Sequence, residues 1–105
     1  MKLSVKLGGH VLYEDGELVV DRLRSYASVL KKIYWMGHGL SVVVGGGPPA
    51  RWFIDAARKL GCPEAVCDEI GIQASRLNAL LLASLLSEAA YSLIPSSYLE
   101  AKFRT

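Results

Sequence analysis

One short run, residues 40–44, constrains the fold of this chain more than any other feature. Its sequence, Leu-Ser-Val-Val-Val, is almost wholly apolar and β-branched, which predicts a strand buried on both faces in a helix-covered parallel sheet. Lys2–Leu7 alternates polar and apolar residues and predicts an earlier strand. Between the two, apolar residues at steps of three and four predict a helix over residues 17–35. Strand, helix and strand in this order predict a βαβ unit with a right-handed crossover.

Glycine and proline mark the ends of the other predicted elements. These are a short strand or hairpin arm at residues 10–13, a helix from Pro48 to about Leu60, a helix from about Asp68 to Ala90, a strand at residues 91–94 and a short terminal helix from Ser96 that contains Lys102. A turn is expected at residues 62–67. Together they predict a three-layer α/β/α sandwich with a mainly parallel sheet, in one domain spanning residues 1–105.

Composition narrows the functional classes. The 105 residues include 12 Lys+Arg and 10 Asp+Glu, a net charge of +2, and this near-balance argues against a nucleic-acid partner. A hydrophobic content of 51% argues against disorder. The first residues resemble no secretory signal, and the most apolar stretch, residues 79–86, is far shorter than the ~20 residues that a membrane span needs. We therefore expect a cytoplasmic protein with no membrane partner.

The cysteines and histidines do not predict a metal site. Cys62 and Cys67 are too few for a disulfide scaffold, and their spacing differs from that of a zinc knuckle. We expect ordinary, partly buried thiols, while a local disulfide stays open. His10 and His38 are isolated and are expected to be loop histidines rather than bases or ligands.

Two glycine clusters follow the two predicted strands. Gly8 and Gly9 follow the first, and Gly45, Gly46 and Gly47 follow the second. If the strands are parallel, both clusters lie at the sheet edge where open α/β sheets bind ligands. The second cluster also opens a helix, whose N-terminus favours an anion. With Lys6 before the first cluster and Arg51 after the second, the pattern indicates phosphate binding.

Each of these features also has a simpler structural explanation. The glycines can serve only as a turn and a helix start, Lys6 and Arg51 as solvated charges, and Asp68 as a helix N-cap. The P-loop and Rossmann glycine patterns are absent from the sequence, which argues against both of those sites.

The predicted third helix is apolar on every side. The residues that surround it are Leu77, Leu80, Leu81, Leu82, Ala83, Leu85 and Leu86. A helix of this kind is buried on every side, so we expect another subunit or a further part of the domain to cover it. The sequence thus predicts a homo-oligomer or a larger domain.

Three segments, taken together, resemble the amino-acid-kinase superfamily. Residues 6–12, Lys-Leu-Gly-Gly-His-Val-Leu, resemble its opening K-[IL]-G-G-S-x-[IL] pattern, and residues 42–51 resemble its second glycine loop. Residues 68–81 are similar to the D-x-x-G-I-x-x-[ST]-R-x-N-A segment of archaeal-type UMP kinases. The resemblance covers nearly the whole chain, in the same order and spacing.

The resemblance implies phosphoryl transfer from ATP, with Mg²⁺, to UMP or a similar nucleoside monophosphate, a step of pyrimidine biosynthesis. It implies that Lys6 neutralises the transferring phosphoryl group and that Gly8 and Gly9 donate backbone hydrogen bonds to it. Gly45, Gly46, Gly47 and Arg51 would hold the acceptor phosphate, and Asp68 would bind the ribose hydroxyls. UMP kinases of this type are hexameric, which agrees with the homo-oligomer expected above.

Two departures from the family pattern limit what the resemblance implies. His10 stands where the family has serine, and such kinases are roughly twice as long as this chain. The resemblance therefore covers an N-terminal half that lacks the ATP-binding half, and we expect an incomplete and inactive enzyme when the chain is isolated. The alternatives are a non-catalytic, oligomeric nucleotide- or phosphate-binding module and a structural remnant that binds nothing.

Overall fold

The computed structural model of this protein describes residues 1–86 and the strand at residues 101–103. The elements in chain order are β1 (Lys2–Leu7), a 3-10 helix (Gly9–Leu12), β2 (Tyr13–Glu14), β3 (Glu17–Leu18), α1 (Val20–Trp35), β4 (Gly39–Val44), α2 (Gly47–Lys59), α3 (Glu64–Leu86) and β5 (Ala101–Phe103). The predicted α/β fold class is confirmed.

The main sheet has the strand order β1-β4-β5. β1 and β4 are parallel, with Leu7 opposite Val44, so the two strands end at the same edge. β5 pairs with β4 in the antiparallel direction. The predicted βαβ unit is therefore present, and its second strand is the central one.

One hydrophobic core joins β4 to the helices α1 and α3. Its buried members are Leu12, Leu23, Ala27, Leu30, Leu40, Val42, Val44, Ala79, Leu82 and Leu86. The alternation of β1 is also reproduced, since its apolar side chains are half-buried and its polar ones are exposed. Burial of β-branched side chains on β4 is what fixes the sheet beneath the helices.

The first helix begins at Val20 rather than at residue 17. Residues 13–14 and 17–18 instead form a two-stranded hairpin, whose turn residues Asp15 and Gly16 have φ of 52° and 78°. Two left-handed residues in sequence are typical of a tight hairpin turn. Of the predicted arm at residues 10–13, only Tyr13 is a strand residue, because the 3-10 helix occupies the others.

The third helix begins at Glu64, so the turn predicted at residues 62–67 is too long. Cys67 is buried within the helix, and both cysteines are free thiols, as expected. An ion pair of 3.2 Å between Arg58 and Glu64 joins the end of α2 to the start of α3. The early start is explained by Pro63, whose carbonyl accepts the first helical hydrogen bonds.

The chain end differs from the prediction where the structure describes it. Lys102 belongs to β5 and is paired with Ser41, so the predicted terminal helix is wrong at residues 101–103. Hydrogen bonding to the open edge of β4 satisfies the backbone of these residues better than one helical turn would. The predicted end of the long helix, residues 87–90, and the predicted strand at residues 91–94 lie outside the described residues.

Candidate functional site

The two glycine loops contact each other, backbone against backbone, at the carboxyl ends of β1 and β4. The Gly45 N–H donates to the Leu7 carbonyl oxygen at 2.9 Å. A Cβ atom on Gly9 would overlap the backbone nitrogen of Gly47, and one on Gly45 would lie 2.8 Å from the Gly9 nitrogen. Only glycine permits this approach. The convergence expected of the two clusters is therefore present in the structure.

The loop after β4 enters α2 through a left-handed residue. Gly47 has φ of 65°, and a Cβ atom there would lie 2.9 Å from Cε2 of the Tyr13 ring. Pro48 and Pro49 occupy the first turn of α2, and no side chain caps this helix. Proline has no N–H group, so the donors at this end of α2 are those of Gly46 and Gly47, and no side chain caps them. Free N–H groups at a helix N-terminus are the groups that bind anions.

A buried asparagine holds the carbonyl side of the same loop. Asn78 is 4% exposed, and its Nδ2 donates to the carbonyl oxygens of Gly45 at 2.8 Å and Gly46 at 3.2 Å. The Tyr13 hydroxyl donates to Asn78 Oδ1 at 2.7 Å. Neither side chain was among the predicted site residues. The available signal was an amide directly before the most apolar stretch of the chain, residues 79–86.

Burial raises the pKa of Tyr13 above its ordinary value of 10.0. The cause is loss of hydration of the charged phenolate. The phenol is therefore neutral at physiological pH and keeps the proton that it donates to Asn78.

A cleft of about 480 Å³ lies between the second glycine loop, α2 and α3. Its lining residues are Gly46, Ala50, Asp68, Gly71, Ile72 and Ser75. Two of the predicted site residues, Gly46 and Asp68, therefore line one cleft. Small side chains make it possible, because a Cβ atom on Gly46 would lie only 3.2 Å from that of Ala74 and 2.7 Å from that of Ala50.

The predicted basic residues lie at the borders of this arrangement. Lys6 is exposed near the carboxyl end of β1, opposite Val43, and does not line the cleft. Arg51 is exposed on α2 directly after Ala50, which does line it. Within the described part of the chain, neither side chain has a carboxylate partner at ion-pair distance.

His10 is exposed and folds back over the first glycine loop. A Cβ atom on Gly8 would lie 2.8 Å from Cε1 of its ring. The imidazole thus occupies space beside Gly8 that a serine side chain would leave open.

Across residues 1–86 and 101–103, no helix combines the length and the apolar character needed to cross a bilayer. In that same part of the chain, no three His, Cys, Asp or Glu side chains group as metal ligands.

The whole chain, residues 1–105, matches the model of the amino acid kinase family. The chain belongs to this family. The resemblance found in the glycine loops and in residues 68–81 is therefore confirmed at the level of the family.

The relatives of this chain include archaeal uridylate kinases. The uridylate kinase of Methanococcus vannielii is 43% identical over 102 residues, which are 97% of this chain and 45% of that protein. That of Methanosarcina barkeri is 48% identical over 101 residues, 96% of this chain and 42% of that protein. The crystal structure of uridylate kinase from Archaeoglobus fulgidus superposes with a TM-score of 0.79 at 40% identity, over 90% of this chain and 41% of that one.

The chain thus spans less than half the length of the relatives that it matches. The similarity establishes a UMP-kinase-like sequence and fold for the residues that align. The activity of a whole kinase is a separate question for this chain.

Proposed function

We propose that the cleft between the second glycine loop and α3 binds UMP as the phosphoryl acceptor of a UMP-kinase-like reaction. The observation that carries the proposal is the contact of the two glycine loops at one sheet edge, beside a cleft that Gly46 and Asp68 both line. The relatives support UMP as the acceptor, because those aligned with this chain are uridylate kinases.

On the acceptor side, the phosphate binds at the N-terminus of α2. Gly46 and Gly47 present backbone N–H groups there, Gly45 shapes the loop, and Arg51 supplies a guanidinium one turn into the helix. Asp68, on the opposite wall, accepts hydrogen bonds from the ribose hydroxyls.

On the donor side, Lys6 and the first glycine loop face the group in transfer. Lys6 neutralises charge on the phosphoryl group, and the N–H groups of Gly8 and Gly9 hold its oxygens in line with the acceptor. Phosphoryl transfer needs this positioning and neutralisation more than it needs covalent chemistry from the protein.

ATP with Mg²⁺ is the phosphoryl donor of the proposed reaction. The described carboxylates do not group as metal ligands, so the ion is expected to arrive on the nucleotide phosphates. For this reaction we expect a cytoplasmic protein whose partner is a small molecule and not a nucleic acid.

We further propose that the 105-residue chain, on its own, binds the acceptor without turning it over. Lys6 and the glycine loops supply the shared centre and the acceptor side of the reaction, and these lie within less than half the length of the relatives. A non-catalytic nucleotide-binding module would keep the same cleft, so binding and turnover need separate measurements.

The test of acceptor binding is calorimetric titration of the chain with UMP and with uridine. We expect UMP to bind more tightly, and Arg51→Ala to weaken UMP binding by ~1.5–3 kcal/mol, the range for a hydrogen bond to a charged group. Lys59→Ala is the matched control, an exposed cation at the far end of the same helix. Equal affinities for UMP and uridine would show that the loop is only a helix start.

A further inference from the structure

Asn78 is deeply buried, and within the described part of the chain it is the side chain that hydrogen-bonds to the second glycine loop. It projects from the middle of α3, and its amide reaches two consecutive carbonyl oxygens, those of Gly45 and Gly46. It lines the neighbouring groove of about 290 Å³ beside Tyr13 and does not line the acceptor cleft. Asn78 therefore holds the loop from the side away from the acceptor cleft.

The orientation of the Asn78 amide is fixed by its neighbours. The two loop carbonyls only accept hydrogen bonds, so the nitrogen of the amide must face them and the oxygen must face Tyr13. The Tyr13 hydroxyl must then be the donor, as its 2.7 Å contact with Oδ1 shows. Rotating the amide by half a turn would oppose oxygen to oxygen at two carbonyls.

Because the peptide unit is planar, anchoring the loop carbonyls also sets the direction of the loop N–H groups. Residues 45–47 contain only trans peptide units, in which the C=O and the following N–H point in opposite directions. Anchoring the Gly45 and Gly46 carbonyls on Asn78 therefore points the N–H groups of Gly46 and Gly47 away from Asn78. The Gly47 nitrogen lies against Gly9 of the first loop, and Gly46 lines the acceptor cleft.

We propose that Asn78, held by Tyr13, is a positioning residue that aims the N–H groups of Gly46 and Gly47 at the acceptor phosphate. The proposal rests on the proposed function for its ligand and on the structure for its geometry. Asn78 does not touch the nucleotide and acts through the loop alone.

The loop needs an anchor of this kind because it consists of three glycines. Glycine has more backbone freedom than any other residue, so a free Gly45–Gly47 segment would lose much entropy each time that it closed on a phosphate. The Tyr13–Asn78 pair removes that freedom before the ligand arrives, and the Tyr13 ring also covers Gly47. Donors that are preorganised in this way bind charge more strongly than donors that must first be ordered.

The experiment measures UMP and uridine affinities of the 105-residue chain and of variants at the Tyr13–Asn78 pair. We expect Asn78→Ala to weaken UMP binding about tenfold while uridine affinity changes little, since only the phosphate uses the aimed donors. Tyr13→Phe keeps the amide but removes its anchor, so we expect a smaller loss of the same kind. Ala79→Gly is the matched control, because it loosens the same helix at the neighbouring core position and leaves the Asn78 amide in place.

A positioning role predicts a lower ratio of UMP to uridine affinity, whereas a purely structural role lowers both affinities together or neither. An unchanged ratio in Asn78→Ala, or an equal fall in Ala79→Gly, would overturn the proposal. If Asn78→Ala does not fold, Tyr13→Phe and Asn78→Asp give the same readout.

A second measurement separates this proposal from the proposed function. If the unmodified chain does not prefer UMP, the acceptor site is wrong, and ¹⁵N relaxation of the ligand-free chain still tests the geometry. We expect the Gly46 and Gly47 amides to become more mobile in Asn78→Ala and Tyr13→Phe, and not in Ala79→Gly. Unchanged backbone order at both glycines would refute the role of Asn78.

Discussion

At the scale of single residues, the site depends on glycines, because residues without a side chain let the two loops touch. The first glycine loop and the second approach so closely that the Gly9 and Gly45 backbones fill the space where a Cβ atom would lie. The sequence shows each glycine but not the contact between the two. That contact depends on where two loops, 36 residues apart in the chain, meet in space.

Replacement of Gly9 by alanine tests this contact. The added methyl group would overlap the Gly47 nitrogen and the Gly45 carbonyl, so the loops must separate. We expect Gly9→Ala to lower the free energy of unfolding by about 1–3 kcal/mol, the usual cost of overpacking, in chemical denaturation.

Gly71→Ala is the control for this substitution. A Cβ atom on Gly71 would make only an ordinary contact, 3.8 Å from Ile54 Cδ1, and alanine is favoured over glycine inside a helix by about 1 kcal/mol. We expect this variant to be as stable as the unmodified chain or more stable. A stable Gly9→Ala variant would mean that the loops do not touch.

At the scale of elements, the sequence was most informative where side-chain periodicity is strong. Both parallel strands were located correctly, from the alternation of Lys2–Leu7 and from the β-branched run at residues 40–44. Burial on one face produces alternation, and burial on both faces produces a continuous apolar run. Both glycine loops were also correctly placed at the ends of these strands.

The misplaced elements are those whose structure depends on distant partners. β5 forms because β4 offers it an open edge. The local sequence Ala-Lys-Phe contains no pattern that indicates this pairing. The Tyr13–Asn78 hydrogen bond joins residues 65 positions apart. Local propensity carries no information on such contacts, so β5 and the role of Asn78 were missed.

The exposed face of α3 leads to a prediction about association. Leu82 and Leu86 are buried in the core, with 1% of each exposed, whereas Leu77 is 68% exposed and Leu80 and Leu81 are exposed beside it. Contiguous apolar surface of this kind is typical of interfaces. We expect the chain to form a dimer or larger oligomer through this face, as measured by sedimentation.

A double substitution, Leu77→Lys with Leu81→Glu, is expected to yield a smaller species. Val29→Lys is the control, because Val29 is equally apolar and exposed but lies on α1. A stable monomer of the unmodified chain at micromolar concentration would contradict the prediction.

At the scale of the whole molecule, the proposed function gives this chain the acceptor side of a two-substrate reaction. Phosphoryl transfer needs donor and acceptor phosphates held in line, with charge neutralised across the transition state. Removal of one preorganised group commonly costs ~100-fold in rate. We therefore expect no measurable rate from the 105-residue chain, which aligns with less than half of a uridylate kinase.

The turnover prediction is tested by a coupled assay for ADP with ATP, Mg²⁺ and UMP. We expect no UMP-dependent release of ADP above background from the purified 105-residue chain. Steady release that disappears in Lys6→Ala would instead show that the oligomer builds a donor pocket between its subunits.

The position of β4 inside the sheet has a further consequence, for the solubility of the chain. β4 is β-branched and uncharged, features that favour cross-β aggregation, and an open edge there would recruit strands from other molecules. β1 pairs along the whole of β4 on one edge, and β5 covers Leu40–Val42 on the other. The three residues of β5 therefore protect this part of the edge against edge-to-edge aggregation, and their loss would expose it.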